Sequence, residues 1–292
     1  MKSRFAYCVC LLLAMGAIVL NCLGQSPTAA GKAGAVFPPV QQWKDAVVSG
    51  NAPALKALYS VSPAAQIGTA AGETNADSEV SFWTGLKARR MKLDIVQSDS
   101  PQPGLQQVVF QAEIRSAAKP GEVTEYISTG QLWQKQGETW RLVASKRGEP
   151  TRLQQPSSTT REIYPPGVNA HAEIQQALSL ASKQHKRVLV VFGANWCYDC
   201  HVLDLAFHRP EVETVLAKNY EVVHVDVGEG DKNQDLMQQY GVPMKKGIPA
   251  VAVLDSDGKL LFSQKGGEFE KARALAPEDV LAFLNKWKPA AR

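Results

Sequence analysis

The sequence has no long run of basic residues, and this absence excludes one class of partner. Its Lys and Arg residues come at most in pairs such as Arg89-Arg90 and Lys245-Lys246, and 32 basic residues against 28 acidic ones leave a net charge of +4. A protein that binds nucleic acid usually concentrates its basic residues on one face. We therefore expect no nucleic-acid partner.

Histidine is also scarce, and its distribution separates the two halves of the chain. None of the five histidines precedes His171, so histidine-based acid–base chemistry is excluded from the first half. Carboxylates are the alternative acid–base groups in that half: Asp45, Asp77, Asp94, Glu113 and Glu125. Solvated strand faces, however, carry such residues routinely. We expect no catalytic role for this half.

The longest apolar run lies at the N terminus and predicts an export signal. Lys2 and Arg4 precede the apolar residues 5–20, and Cys22-Leu23-Gly24 supplies small residues for cleavage. As a helix this run would rise about 24 Å, which is short of the roughly 30 Å hydrocarbon core of a membrane. We predict a signal peptide over residues 1–24, a flexible leader over 25–36, and an exported protein that is periplasmic or secreted. An uncleaved membrane anchor and a lipoprotein acylated at Cys22 remain open.

Cysteine is rare outside that segment. Cys8, Cys10 and Cys22 all fall inside it, which leaves only Cys197 and Cys200 in the remainder of the chain. A disulfide across two intervening residues closes too short a loop to stabilise a fold much. This spacing favours a chemical role over a structural one.

The chain is long enough for two domains, since 45% of its 292 residues are apolar. Helical patterns near residues 38–59 and 80–86 precede four strand-like runs, at 92–98, 105–116, 123–135 and 139–147. The last two runs form a hairpin, Gly130-Gln131-Leu132-Trp133 with Thr139-Trp140-Arg141-Leu142-Val143. This part of the pattern resembles the nuclear transport factor 2-like superfamily over residues 37–148.

That resemblance implies an α+β cone-shaped curled antiparallel sheet. It also implies that the N-terminal domain binds a small ligand or forms a dimer contact. The tryptophans of this domain are interpreted as core or cone lining: Trp43, Trp83, Trp133 and Trp140.

A Pro-rich segment follows at residues 149–168. It contains Pro150, Pro156, Pro165 and Pro166 and has few apolar residues, so it should bury too little surface to offset its ordering entropy. We predict an extended, semi-stiff linker between the domains.

The C-terminal half carries the clearest motifs. A continuous apolar run at residues 188–193, typical of a strand buried on both faces, leads into Trp196-Cys197-Tyr198-Asp199-Cys200, and Gly247-Ile248-Pro249 follows about fifty residues later. This combination resembles the thioredoxin-like family over residues 169–288. It implies an α/β three-layer sandwich.

The spacing of the two cysteines has a physical reason. At the N terminus of a helix, Cys197 has its thiolate stabilised by unpaired backbone amides, and Cys200 lies on the same face within bonding reach. Cys197 is thus the predicted nucleophile and Cys200 the resolving cysteine. The resemblance implies an exposed Cys197, a shielded Cys200, and a cis peptide bond at Ile248-Pro249 that pairs with the substrate. The remaining predicted site residues are supporting ones: Trp196, Tyr198, Asp199, Ile248, Lys245 and Lys246.

The predicted function is thiol–disulfide exchange. The clients would be protein thiols and disulfides, a further unidentified redox partner would recycle the pair, and no cofactor is expected. One position departs from the family pattern, because Val191 stands where efficient reductases often carry a buried acid. Asp199 should oppose a Cys197 thiolate slightly, whereas Lys245 and Lys246 should favour it. A reductase-like direction is our hypothesis.

Other uses of the same residues remain open. Cys197-Tyr198-Asp199-Cys200-His201 also matches the covalent haem-attachment pattern, and both cysteines with two of His201, His208 and His224 have the ligand types of a metal site. A non-catalytic scaffold with a structural or vestigial cysteine pair is the remaining alternative.

The helix-start position predicts a Cys197 pKa moderately below the free-thiol value of about 8.5. The measurement is thiolate absorbance against pH for Cys200→Ser, from which the curve of the Cys197→Ser/Cys200→Ser double variant is subtracted. A pKa at or above the free-thiol value would contradict this prediction.

Overall fold

The computed structural model describes residues 36–117 and 122–290. The predicted signal peptide and nearly all of the predicted leader lie outside the described residues. The chain from Phe37 onward belongs to one unit and contains two sheets. Among the described residues, we find no helix that is both long and apolar enough to cross a membrane.

Local signals start the first two helices of the first domain where the sequence predicts them. Helix α1 (Pro38–Val48) opens on two prolines, and helix α2 (Ala52–Ala57) is capped by the Asn51 side chain, which accepts a hydrogen bond from the Ala54 amide at 3.0 Å. Helix α3 (Ala76–Gly85) begins earlier than predicted because Asn75 caps it.

The first sheet has six strands in the order β2-β1-β6-β5-β4-β3. The four long strands fall at the predicted places and pair antiparallel: β3 (Ala88–Asp99), β4 (Leu105–Ala117), β5 (Glu122–Gln136) and β6 (Thr139–Arg147). Two short strands, β1 (Gln66–Thr69) and β2 (Gly72–Thr74), occupy a segment expected to be loop, and β1 pairs parallel with β6. The expected α+β curled sheet is confirmed.

Three of the four tryptophans fill the core of this domain, as interpreted from the sequence: Trp43, Trp83 and Trp133. Buried among them is a charge that the sequence does not single out. Glu79 on α3 is 2% exposed, accepts a hydrogen bond from Trp83 Nε1 at 2.6 Å, and pairs with Arg147 Nε at 3.1 Å. Arg147 also stacks over the Phe82 ring at 3.4 Å. The pair ties α3 to the last strand of the sheet.

The segment at residues 149–168 forms no helix or strand of its own, and the expectation that it buries little surface is wrong. Thr151 exchanges backbone hydrogen bonds of 2.8 and 2.9 Å with Tyr126 on β5, so the segment is tied to the first sheet. Leu153, Ile163 and Tyr164 are buried, and Leu153 packs into the core of the second domain. A few apolar residues suffice because Leu153 enters the second core and Ile163 and Tyr164 share another buried cluster. The predicted domain limits themselves stay predictions.

The second sheet has four strands in the order β10-β9-β7-β8. Strand β7 (Arg187–Gly193) pairs parallel with β8 (Tyr220–Asp226) and antiparallel with β9 (Ala250–Leu254), which continues to β10 (Leu260–Ser263). Both β7 and β9 are buried on both faces, as the continuous apolar runs predict.

Helices cover both faces of this sheet. One core lies between the sheet and α4 (Ala170–Gln184) and α7 (Gln234–Gln239), the latter not predicted from sequence. The other core lies against three helices: α5 (Tyr198–Phe207), α6 (Pro210–Asn219) and α8 (Pro277–Trp287). This is the three-layer sandwich that the resemblance implied.

Glu79→Ala should lower the free energy of unfolding by about 3–5 kcal/mol, because it leaves the buried Arg147 charge without a partner. Urea denaturation followed by tryptophan fluorescence measures the loss, since Trp83 donates to Glu79. The matched control is Asp77→Ala on the same helix, whose exposed pair with Lys56 should contribute about 1 kcal/mol or less. Equal losses for the two variants would show that the buried pair does not stabilise the domain.

Candidate active site

The two cysteines meet at the first turn of α5. Strand β7 ends at Gly193, and a tight turn follows in which the Cys197 amide donates to the Ala194 carbonyl at 3.1 Å. Cys197 is the N-cap residue of α5, and its sulfur accepts a hydrogen bond from the Cys200 amide at 3.2 Å. The pair forms a disulfide with its Cα atoms 5.3 Å apart. The helix therefore directs backbone N–H dipoles at the Cys197 sulfur.

The Ile248–Pro249 peptide bond lies beside this pair and is cis, as the resemblance implied. The Ile248 carbonyl oxygen is 3.6 Å from Cys197 Sγ. The next carbonyl, that of Pro249, accepts a hydrogen bond from the buried Gln264 side chain at 3.2 Å. The backbone at the start of β9 is thus held against the sulfur that the sequence predicts to be the nucleophile.

The exposure expected for Cys197 is wrong for the disulfide form. Cys197 is only 5% exposed and Cys200 is 1% exposed. Ile163 and Tyr164 of the connecting segment pack against both cysteines, and Ile248 adds to the same cluster. The predicted shielding of Cys200 is confirmed, but the wall that encloses both sulfurs comes partly from outside the predicted domain.

Asn195 fixes that wall, although sequence reasoning gave it no role beyond the turn. Its Oδ1 accepts hydrogen bonds from the amides of Ile163 and Tyr164, both at 2.9 Å, and its Nδ2 donates to the Tyr164 carbonyl at 2.8 Å. The side chain thus mimics a strand partner for the connecting segment. Its place two residues before Cys197 was visible in the sequence, but its partner thirty residues upstream was not.

Gly193 creates the space that Tyr164 fills. A Cβ atom on Gly193 would lie 2.1 Å from the Tyr164 hydroxyl oxygen and 2.8 Å from Cys200 Sγ. Any side chain at this position would therefore displace one or the other. Burial of the phenol raises the pKa of Tyr164 far above its ordinary value, so it stays neutral.

Asp199 lies between the cysteines in sequence, but its charge is balanced. Arg273 donates from its backbone amide to Asp199 Oδ1 at 2.9 Å and from Nε to both carboxylate oxygens at 3.0 and 3.1 Å. The Arg273 guanidinium also lies 4.8 Å from the centre of the Tyr198 ring. Burial raises the pKa of Tyr198. Arg273 is a cation that the sequence pattern did not indicate, and the effect of Asp199 on a Cys197 thiolate stays a prediction.

The other predicted supporting residues lie around the rim. Trp196 is 54% exposed, and its indole N–H donates to the Gly228 carbonyl at 3.0 Å. Lys245 and Lys246 belong to an exposed turn ahead of the cis proline. The effect of these lysines on the thiolate stays a prediction.

The histidines near the motif contact backbone carbonyl groups or an aromatic ring. His201 Nε2 is 2.7 Å from the Asn195 carbonyl oxygen, and His208 Nδ1 is 2.8 Å from the Asp204 carbonyl oxygen. The His224 ring packs edge-on against Tyr164, and burial lowers its pKa. Over the residues that the structure describes, no three His, Cys, Asp or Glu side chains converge as a metal site requires. The geometry therefore does not support the metal-site alternative.

Parts of the chain match a known protein family and a longer known protein. Residues 169–256 match the model of a family described as thioredoxin-like. The chain is 29% identical over 150 residues to the thiol:disulfide interchange protein DsbD of Pseudomonas fluorescens, a match that covers 51% of this chain and 23% of that protein. This chain therefore spans under a quarter of the length of that relative.

Solved structures resemble each half separately. A disulphide isomerase from Xylella fastidiosa is 40% identical, with 44% of this chain and 97% of that chain covered and a TM-score of 0.42. An NTF2-like protein of unknown function from Rhodospirillum rubrum is 20% identical, with 38% of this chain and 93% of that chain covered and a TM-score of 0.32.

The Asp199–Arg273 pair predicts opposite shifts for its two single variants. Arg273→Gln should raise the Cys197 pKa, because the Asp199 charge is left unbalanced, and Asp199→Asn should lower it. Each shift should be less than about one unit, since Arg273 is half exposed and water screens it. The double variant should return close to the parent value.

Thiolate absorbance in the Cys200→Ser background measures these shifts. Lys271→Gln is the control, because it removes an exposed cation two residues from Arg273 that lies outside this pair. If Lys271→Gln and Arg273→Gln shift the pKa equally, the effect comes from net charge and not from the pair.

Proposed function

We propose that this chain, whose residues 169–256 match the thioredoxin-like family, is a thiol–disulfide oxidoreductase. The observation that carries the proposal is the position of Cys197. It caps α5, accepts the Cys200 amide, and lies beside the cis Ile248–Pro249 bond. The similarity to a thiol:disulfide interchange protein supports the same chemistry but covers only half of this chain.

The exchange begins from the dithiol form. The Cys197 thiolate attacks one sulfur of a client disulfide, so that a Cys197–client bond forms, the client S–S bond breaks, and the released client thiolate takes up a proton. Cys200 then loses its proton and attacks Cys197 Sγ, which releases the second client sulfur as a thiol. Two electrons and two protons pass to the client, and the protein ends in the Cys197–Cys200 disulfide form. A redox partner with a dithiol returns it to the starting state.

The residues around the pair have assigned parts in this exchange. The first-turn amides of α5 stabilise the Cys197 thiolate, and Arg273 keeps Asp199 from destabilising it. The backbone next to Pro249 pairs with the client chain, and exposed Trp196 contributes an apolar contact at the rim. We assign the pair a reductase-like direction, with protein disulfides as clients.

Export and a recognition role for the first domain complete the proposal. The apolar N-terminal run supports export, and only Cys197 and Cys200 lie beyond the predicted signal peptide at residues 1–24, as suits a redox pair in an oxidising compartment. A groove of about 400 Å³ is lined by residues of the first sheet, the connecting segment and α5, among them Gln111 and His201. We assign client contact to this groove.

A scaffold with a structural cysteine pair is the second candidate, and one observation favours it. Cys197 is only 5% exposed, so a client cannot reach its sulfur without some movement of the surrounding wall. The two candidates differ in whether the pair reacts with a protein disulfide.

Cys200→Ser should accumulate a mixed disulfide through Cys197, because the resolving thiol is absent. The wild-type protein should accelerate insulin reduction by dithiothreitol, and the variant should form an insulin adduct visible on non-reducing gels and by mass. Cys197→Ser is the control and should do neither. A protein that neither accelerates reduction nor traps insulin would fit the scaffold.

A further inference from the structure

The connecting segment does more than join the two domains, because one of its side chains reaches the redox pair. Tyr164 lies outside the family-matched residues 169–256, yet it packs in one buried cluster with Cys197 and Cys200. Its side chain is 1% exposed. The one polar atom of the Tyr164 side chain is its hydroxyl oxygen, so the position of this atom decides which group the side chain can hydrogen-bond.

The Tyr164 hydroxyl lies close to the resolving sulfur. The hydroxyl oxygen and Cys200 Sγ are both close to the open face of Gly193, at 2.1 and 2.8 Å from the place where a Cβ atom would stand. The two atoms are therefore neighbours across the glycine, with no side chain between them on that face. In the disulfide form, Cys200 Sγ is bonded to Cys197 and carries no charge.

The phenol is held in this position from two sides. Asn195 makes three hydrogen bonds to the backbone of Ile163 and Tyr164, and the His224 ring lies edge-on to the phenol at 5.4 Å. These contacts involve the backbone and the ring, so none of them uses the Tyr164 hydroxyl. A hydroxyl hydrogen can rotate about the C–O bond to meet an acceptor.

The resolving step creates such an acceptor. Cys200 is 1% exposed in the disulfide form, so a thiolate that forms there in the mixed disulfide receives little solvation from water. A buried anion needs a hydrogen-bond donor, and a bond to an ionised acceptor is stronger than one between neutral groups. Val191, on the strand before the motif, supplies no polar atom.

We propose that Tyr164 donates a hydrogen bond to the Cys200 sulfur once the disulfide opens, and that this bond favours the Cys200 thiolate in the resolving step. The inference rests on the proposed exchange function and extends it, since it assigns part of the redox centre to the segment between the domains. The proton of Cys200 passes to solvent or to the departing client sulfur. Tyr164 keeps its own proton throughout.

Other ionisable groups face the same region and must stay constant in a test. His224 lies on β8, Asp204 on α5 pairs with Arg161 of the connecting segment at 2.7 Å, and Asp226 ends β8. Removing only the hydroxyl leaves all of these groups and the Asn195 contacts in place. Tyr164→Phe is therefore the informative substitution.

The test compares the Cys200 pKa with and without this hydroxyl, in the full chain. Thiolate absorbance is titrated in Cys197→Ser, with and without Tyr164→Phe, and the matching Cys197→Ser/Cys200→Ser curve is subtracted from each. Tyr164→Phe should raise the Cys200 pKa by about one unit, which is a tenfold loss of thiolate. It should also slow resolution of the insulin adduct in the otherwise wild-type protein about tenfold.

Tyr220→Phe is the matched control. Tyr220 is also buried, and its hydroxyl donates to the Leu284 carbonyl at 2.6 Å, away from the cysteine cluster. It should lower stability without moving the Cys200 pKa. An unchanged or lowered Cys200 pKa in Tyr164→Phe would overturn the inference. Failure of the proposed function gives a different result, namely no insulin adduct in Cys200→Ser even with Tyr164 intact.

Discussion

The Cys200 amide and the Cys197 sulfur meet at the first turn of α5, and the redox chemistry proposed for this protein depends on that contact. A sulfur at a helix start receives backbone dipoles without any charged neighbour, so a thiolate is stabilised there by geometry alone. The contact needs a rigid base. Strand β7 supplies it, because the strand is buried between two helical layers and ends three residues before Trp196.

The redox centre extends beyond the segment that the family match defines. Tyr164 and Ile163 enter from the chain before residue 169, and Arg273 enters from the chain after residue 256. Leu153 and Thr151 anchor the same connecting segment between the second core and the first sheet. The first domain is therefore connected to the residues around the cysteine pair both through the chain and through packing contacts. The first domain is better viewed as part of the support of this centre than as a separate module on a spacer.

Buried charge in this protein is balanced by arginine at each of three places. Glu79 pairs with Arg147, Asp199 with Arg273, and Asp204 with Arg161. All three carboxylates lie on helices, and all three arginines come from a different segment of the chain. Since an unpaired buried charge is costly, each pair fixes the approach of one segment to one helix. Two of these carboxylates, Asp199 and Asp204, lie on the cysteine helix, so their pairs fix the positions of the segments that carry Arg273 and Arg161.

Local chemistry in the sequence determined the elements. Alternation placed the four long strands of the first sheet, a continuous apolar run placed β7, and Asn51 and the prolines marked helix starts. The two motifs placed Cys197 at a helix start and Pro249 beside it. These features depend on neighbours a few residues apart, so the sequence pattern contains them.

Only the tertiary structure decided how the segment at 149–168 packs, which cation meets Asp199, and how far Cys197 is enclosed. Leu153 and the adjacent pair Ile163 and Tyr164 are the buried apolar residues of a largely polar stretch, and Arg273 is one of many cations in the sequence. Their roles come from pockets built by residues tens of positions away. Composition averages over a segment, whereas burial is decided one side chain at a time by the surface that the rest of the chain presents.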